Sequence, residues 1–463
     1  MAKPGHHFTG WAVLPFSPDS RITSSMRSVF TPALALFVLT LSGGVLAQLT
    51  APGEQIRIDS SALPAPGATP SSANPPEYEP RPEGSTITVP SGFAANVFAK
   101  DLANPRWLEV APNGDLFVAG SGKVTVLRDS DGDGAAETRS TFVSGLNSPH
   151  GMAFRPGSFF VADTAGVWRL DYHDGELKAE GKKAQITPPG AFGSAGGHSS
   201  RTLVFHPNGD RFYVGIGSFS NIAEDPAPRA TVQEFHTDGS GQRTFAAGLR
   251  NPVGLAFRPG TTELWTVVNE RDGLGDELVP DYLTHLQDGG FYGWPYSYIG
   301  AHPQPGFAER RPDLVSRAIV PDLLFRSHSA PLGLVFYDGV SFPAEYQGDA
   351  FVSLHGSWNA AEPRGYLVAR VRFENGRPVG GYEVFASGFL KQLTNRSFLD
   401  NLRNVVTSGF SRTSLRTLAG SVTADQKRAI VWGRPVGLAI GKDGSLLIAD
   451  DAAGVIWRVS HHP

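Results

Sequence analysis

Six returns of one strand–turn–strand pattern, an abundance of turn-forming residues and the lack of a sustained helical period predict an all-β chain, a six-bladed β-propeller with inserted loops. The first unit is WLEVAPNGDLFVAG at 107–120, in which an apolar strand, an Asn-Gly turn and a second apolar strand read as a β-hairpin. The second is GMAFRPGSFFVADTAGVWRLDY at 151–172, and the third TLVFHPNGDRFYVGIG at 202–217. GLAFRPGTTELWTVVNE at 254–270, GLVFYDGVSFPAEYQGDAFVSLHG at 333–356 and GLAIGKDGSLLIADDAAGVIWRVS at 437–460 complete the set. A large β-sandwich needs no repeat of this kind, and a spacing of roughly 45–50 residues suits four-stranded blades.

The chain has 463 residues, 40% of them hydrophobic, with 54 Gly and 36 Pro, enough apolar material for a sizeable core broken by many tight turns. A net charge of −4 argues against a nucleic-acid partner, and zero cysteines exclude disulfides and thiolate metal sites. Residues 1–47 read as an upstream extension and an export signal: translation from Met26 gives a positive Arg27, an apolar stretch Val29–Leu41 and a small-residue cleavage site after Ala47. A periplasmic or secreted protein with no stable membrane span after cleavage is the expectation. Residues 48–88 are rich in Pro, Ser and Ala and read as a flexible linker, which leaves 89–463 as the propeller domain.

Loops that lead into successive blades gather around one mouth of a propeller channel. Here those positions carry three Arg and three His: Arg106, His150, His198, Arg250, His328 and Arg434. A single Arg at such a place serves turn packing or a surface ion pair, but six cations without matched acids call for an anionic ligand, and the guanidinium fork suits carboxylates.

GGHSSRTLVFHPNGDRFYVGIGS, GLRNPVGLAF, NERDGLGDEL, GGFYGWPYSYIG, SLHGSWN and WGRPVGLAIGKDGSLLIADD resemble, in that order, the sorbosone dehydrogenase and soluble PQQ-dependent glucose (pyranose) dehydrogenase family. The resemblance covers about residues 90–390 and 431–460 and implies oxidation of a sugar, aldose or ketoaldehyde with pyrroloquinoline quinone (PQQ) and Ca²⁺. It assigns His198 the role of general base and places Arg250 and Asn251 beside the quinone oxygens. Arg434 matches a carboxylate-binding Arg, Arg106 is a further candidate for that task, and His328 and His355 join the cofactor-binding set. His355 stands where glucose-oxidising relatives carry Lys, so any charge there depends on protonation of the imidazole. Ser218 stands where they carry the carboxylate that orients the base, a departure that favours the sorbosone-like branch. In NERDGLGDE the calcium donors would be the backbone carbonyls of Arg271 and Asp272, where relatives often have Gly-Pro.

Asp129, Asp131 and Asp133 open like an EF-hand loop, yet Ser140 takes the place of the closing Glu; the stretch reads first as a hairpin loop and second as a structural calcium site. Residues 391–430 form a basic, Ser/Thr-rich insertion, read as a disordered loop or a weak helix, or else as a lid or docking insert; Asn395-Arg396-Ser397 matches a glycosylation sequon by pattern. With no haem-attachment motif, the enzyme needs an external electron acceptor, a quinone, a dye or a redox protein. The competing expectations are a metal-dependent propeller lactonase or esterase, which asks for axial carboxylates and amides, and a binding propeller without chemistry.

Overall fold

The computed structural model describes residues 50–395 and 427–462. The expected leader, and the middle of the expected insertion with most of its sequon, lie outside the described residues. The described chain is all-β, with one five-residue α-helix, Pro312–Ser316, and short 3₁₀ turns. No described helix is long and apolar enough to cross a membrane.

Each of the six sequence repeats supplies the first two strands of a four- or five-stranded unit, antiparallel throughout except that Gly290–Phe291 joins Arg243–Ala247 of the third sheet in parallel. The first sheet runs Trp107–Val110, Leu116–Gly120, Lys123–Arg128 and Thr138–Ser144, and the second is built likewise from Met152–Arg155 to Ala184–Gln185. The third and fourth start at Leu203–Phe205 and Pro252–Phe257, and the fifth at Pro331–Phe336. The sixth joins both ends of the fold, since Phe93–Ala99 pairs antiparallel with Val455–His461.

Second strands such as Leu116–Gly120, Ser158–Ala162, Leu264–Val268, Ala350–Leu354 and Leu446–Asp450 are buried at every position. A strand covered on both faces needs a continuous apolar run, which is what the repeats provide. Among the described residues six hydrophobic cores result, one between each pair of consecutive sheets and one between the sixth and the first. In the core between the first two sheets, Phe142 packs edge-on against Phe117 and Phe159 at 5.0 and 5.4 Å, contacts worth about 0.5–1.5 kcal/mol each beyond area burial.

The recurrent Gly of the first strands has a packing cause. A Cβ on Gly254 would lie 2.7 Å from Leu332 O, one on Gly333 2.4 Å from Val436 O, and one on Gly437 2.8 Å from Arg106 O, so neighbouring first strands meet backbone to backbone. The other three junctions are made by Gly151 against Leu203, by Thr202 Oγ1 donating to Val253 O, and by the Trp107 and His150 rings 4.4 Å apart.

Residues 50–88 are not the free tether that their composition suggests. Gln55–Ile56 adds an edge strand to the fifth sheet, and Glu77–Tyr78 pairs in parallel with Ile430–Val431. Low hydrophobicity fails to order a chain alone, but here the backbone groups of the segment find partners on existing sheet edges. At the expected insertion, Leu390–Asn395 and Lys427–Val431 pair as antiparallel strands.

Candidate active site

Every first strand starts at the same end of its sheet at which the second strand stops. The loops before first strands therefore share that end with the loops after second strands, and the site is built from both sets.

His198 is half-buried, and its ring Nδ1 lies 2.9 Å from Ser218 O and 3.2 Å from Ser218 Oγ. A carbonyl oxygen only accepts, so Nδ1 carries the proton and Nε2 keeps its lone pair. Among the described residues no hydrogen bond ends on that Nε2. Burial and then the Arg250 charge push the imidazole pKa down to about 4, which leaves it neutral at pH 7. The serine that replaces the expected carboxylate thus orients the ring through its main chain. Arg201 and Arg229 donate to His198 O at 2.8 and 3.4 Å and fix its loop. Gly217 lies flush against His198 and Asn251, whose buried Oδ1 has no hydrogen-bond partner among the described residues.

Ser218 N donates to Arg250 O at 2.6 Å, so one peptide ties the imidazole loop to the arginine loop. The buried Arg250 guanidinium donates to Glu270 O at 2.7 Å and to Asn221 Oδ1 at 2.9 Å, and lies 3.6 Å from Asp272 Oδ2. Asn221 also bonds Asp272 N and O, both at 2.9 Å, which locks the 270–277 loop to Arg250. The Arg271 side chain points into the protein, where Nε donates to Glu270 Oε2 at 2.8 Å, and among the described residues no hydrogen bond ends on its carbonyl oxygen. His328 is engaged on both nitrogens: Nε2 is 3.2 Å from Gly275 O, and Nδ1 lies 3.5 Å from Asp272 Oδ1. Burial opposes its charge, but the Asp272 carboxylate outweighs that and raises its pKa.

On the opposite flank, Arg106 forms an ion pair with Asp451, and His355 Nε2 lies 3.0 Å from the same carboxylate. Burial and the Arg434 charge lower the His355 pKa to about 4, so a neutral imidazole donates to an ionised Asp451. Arg434 donates to His355 O at 2.9 Å, Gly356 O at 2.6 Å and Tyr78 OH at 2.8 Å, and takes part in no ion pair among the described residues.

The expectation of cations without acids is therefore corrected. Asp451 matches Arg106 and His355, while Asp272 matches Arg250 and His328. Reading only the residues ahead of each repeat misses these acids, because they sit after second strands; the doublet Asp450-Asp451 was the available signal. Asp450 has a supporting task, for its buried carboxylate accepts from Arg434 N at 2.8 Å and Trp457 Nε1 at 3.2 Å. At 129–137, Glu137 supplies the fourth acid that Ser140 does not, and with Asp129, Asp131 and Asp133 it places four possible ligand oxygens within 4.8 Å of one another.

The sequence pattern that defines the TrAA12-like family matches residues 87–281 and 314–400. The chain belongs to this family. This TrAA12-like protein is similar to an uncharacterized protein of Borreliella burgdorferi, 26% identical over 388 residues that cover 81% of this chain and 91% of that one. It is 23% identical to a pyrroloquinoline quinone-dependent pyranose dehydrogenase of Coprinopsis cinerea over 81% of its own length, and spans 54% of that relative. The solved PQQ domain of the Coprinopsis cinerea pyranose dehydrogenase, in its holo form, superposes with a TM-score of 0.63 at 20% identity, covering 82% of this chain and 98% of that domain.

Proposed function

We propose that this TrAA12-like protein is a PQQ-dependent oxidoreductase of a sugar, aldose or ketoaldehyde, with its six sheets as the blades of a six-bladed propeller around the site. The observation that carries the reading is His198, held as the Nδ1–H tautomer with a free Nε2, on the same hydrogen-bonded frame as Arg250 and Asn251.

The donor set fits the cofactor. Guanidinium groups of Arg250, Arg434 and Arg106 suit carboxylate and quinone oxygens, the buried Asn251 amide oxygen has no partner among the described residues, and the Arg271 and Asp272 carbonyls are the hard ligands calcium prefers. His328 and His355 act from behind this set, the one bracing the 270–277 loop and the other holding Asp451. Bound PQQ with calcium supplies the two-electron acceptor for the hydride that leaves the carbinol carbon.

His198 Nε2 takes the hydroxyl proton of the substrate, and its pKa of about 4 keeps the lone pair available at neutral pH. Arg250, buried and fixed by backbone carbonyls, offers its charge to developing anionic oxygen with little reorganisation. The leader reading puts this chemistry in the periplasm or outside the cell, with electrons passing to an external acceptor. Adding PQQ and Ca²⁺ to the apoprotein and screening aldoses with a dye acceptor tests the proposal: His198→Ala should abolish dye reduction while PQQ binding survives. Normal turnover in that variant would overturn the role of His198.

A further inference from the structure

The family match begins at residue 87, yet residues upstream of it reach the candidate site. Gly67 N donates to Leu274 O at 2.7 Å, and Thr69 Oγ1 accepts from Asp276 N at 2.9 Å. Between these contacts lies Gly275, at φ +128°, where a Cβ would come within 2.9 Å of Thr69 O. Asn74 is fully buried: its backbone N–H donates to Trp358 O at 2.7 Å and its amide to Ala360 O at 2.9 Å and Lys427 O at 2.7 Å. Four residues on, the exposed Tyr78 accepts from Arg434 Nη1 at 2.8 Å, and among the described residues its own hydroxyl hydrogen is donated to nothing. The segment thus touches the loop of Arg271 and Asp272, the loop after His355, and Arg434.

We infer that residues 67–78, upstream of the family match, form a wall of the active site. Thr69 and Asn74 are positioning residues that hold the loops around residues 271–277 and 358–361. Tyr78 is a binding residue: once its oxygen has accepted from Arg434, its hydroxyl donates to the anionic oxygen that Arg434 meets. The Tyr78 role rests on the PQQ reading, whereas the loop-holding role does not.

The experiment compares the wild type with Thr69→Val, Thr69→Ser and Tyr78→Phe in the full chain. Amide hydrogen exchange across 271–277 is read on the protein alone, and the Kd for PQQ with CaCl₂ is read by tryptophan fluorescence. Thr69→Val should speed exchange at Asp276 and weaken PQQ about tenfold, the loss expected when a hydrogen bond at a charged site is disturbed, and Thr69→Ser should restore both. Tyr78→Phe should leave exchange unchanged and weaken PQQ by a similar factor. Unchanged exchange in Thr69→Val overturns the positioning role, and an unchanged Kd in Tyr78→Phe overturns the binding role. A wild type that takes up no PQQ sinks the function proposal and the Tyr78 role with it, and the exchange rates still decide the wall.

Discussion

Gly217→Ala is the smallest change that should separate the site from the fold. The added methyl would sit 2.3 Å from Asn251 Oδ1 and 2.7 Å from His198 Cβ, where ordinary contacts need about 3.4 Å or more. One of the two side chains must therefore shift by about an ångström, and neither has free room, since Asn251 is buried and the His198 loop is tied down by Arg201 and Arg229. Overpacking of this kind costs about 1–3 kcal/mol of stability, whereas a 1 Å misplacement of a reacting group costs about 100-fold in rate. Thermal melting and kcat/KM with a dye acceptor measure the two effects on one preparation. A fall in melting temperature of at most a few degrees, beside a drop of about two orders of magnitude in kcat/KM, is expected. Full activity in a correctly folded Gly217→Ala variant would show that His198 and Asn251 are not placed by Gly217.

Because burial and Arg250 lower the His198 pKa to about 4, the acid limb of kcat/KM should fall through about pH 4 and not near 6.5; Ser218→Asp should move that limb upward by one unit or more. Asp451 is half-buried, and desolvation alone would raise its pKa, but His355, Arg106 and Arg434 drive it well below the usual carboxylate range. Its stabilisation is present above the unfolded pKa near 4 and lost as pH falls, so Asp451→Asn should cost about 3 kcal/mol at pH 7 in urea unfolding and progressively less in acid. Glu109 lines a cavity of about 350 Å³ between first strands, and burial raises its pKa from 4.5 to about 8. The folded state then holds the proton longer than the unfolded one, so stability declines as pH rises from about 4.5 through about 8; Glu109→Gln should melt higher than wild type at pH 9 and much like it at pH 4.

The strands were legible because each repeat joins apolar runs to a turn rich in Gly, Pro, Asn or Asp. Both hairpin strands of all six repeats fall where that pattern puts them. The cationic residues were legible for a related reason, since they occupy one position of a repeat. The acids were not, because Asp272 and Asp451 belong to loops of different length that only the antiparallel return of the second strand brings alongside. Asn221 was hidden for the same cause: it lies 29 residues before Arg250, inside a loop with no repeat partner. The upstream segment was misread because composition reports whether a chain can build its own core, and Asn74 has no need of one when Trp358, Ala360 and Lys427 offer their carbonyls.

The proposed function requires the loops of His198, Arg250 and Arg434 to surround PQQ held with calcium. Titrating the purified protein with PQQ, with and without Ca²⁺, and following the quinone absorption as an aldose is added tests it most directly. Saturable binding that collapses on calcium chelation is expected, then bleaching of the quinone band by the sugar in wild type and none in His198→Ala. Binding that ignores chelation, or a quinone band unaltered by every aldose and ketoaldehyde offered, would contradict it.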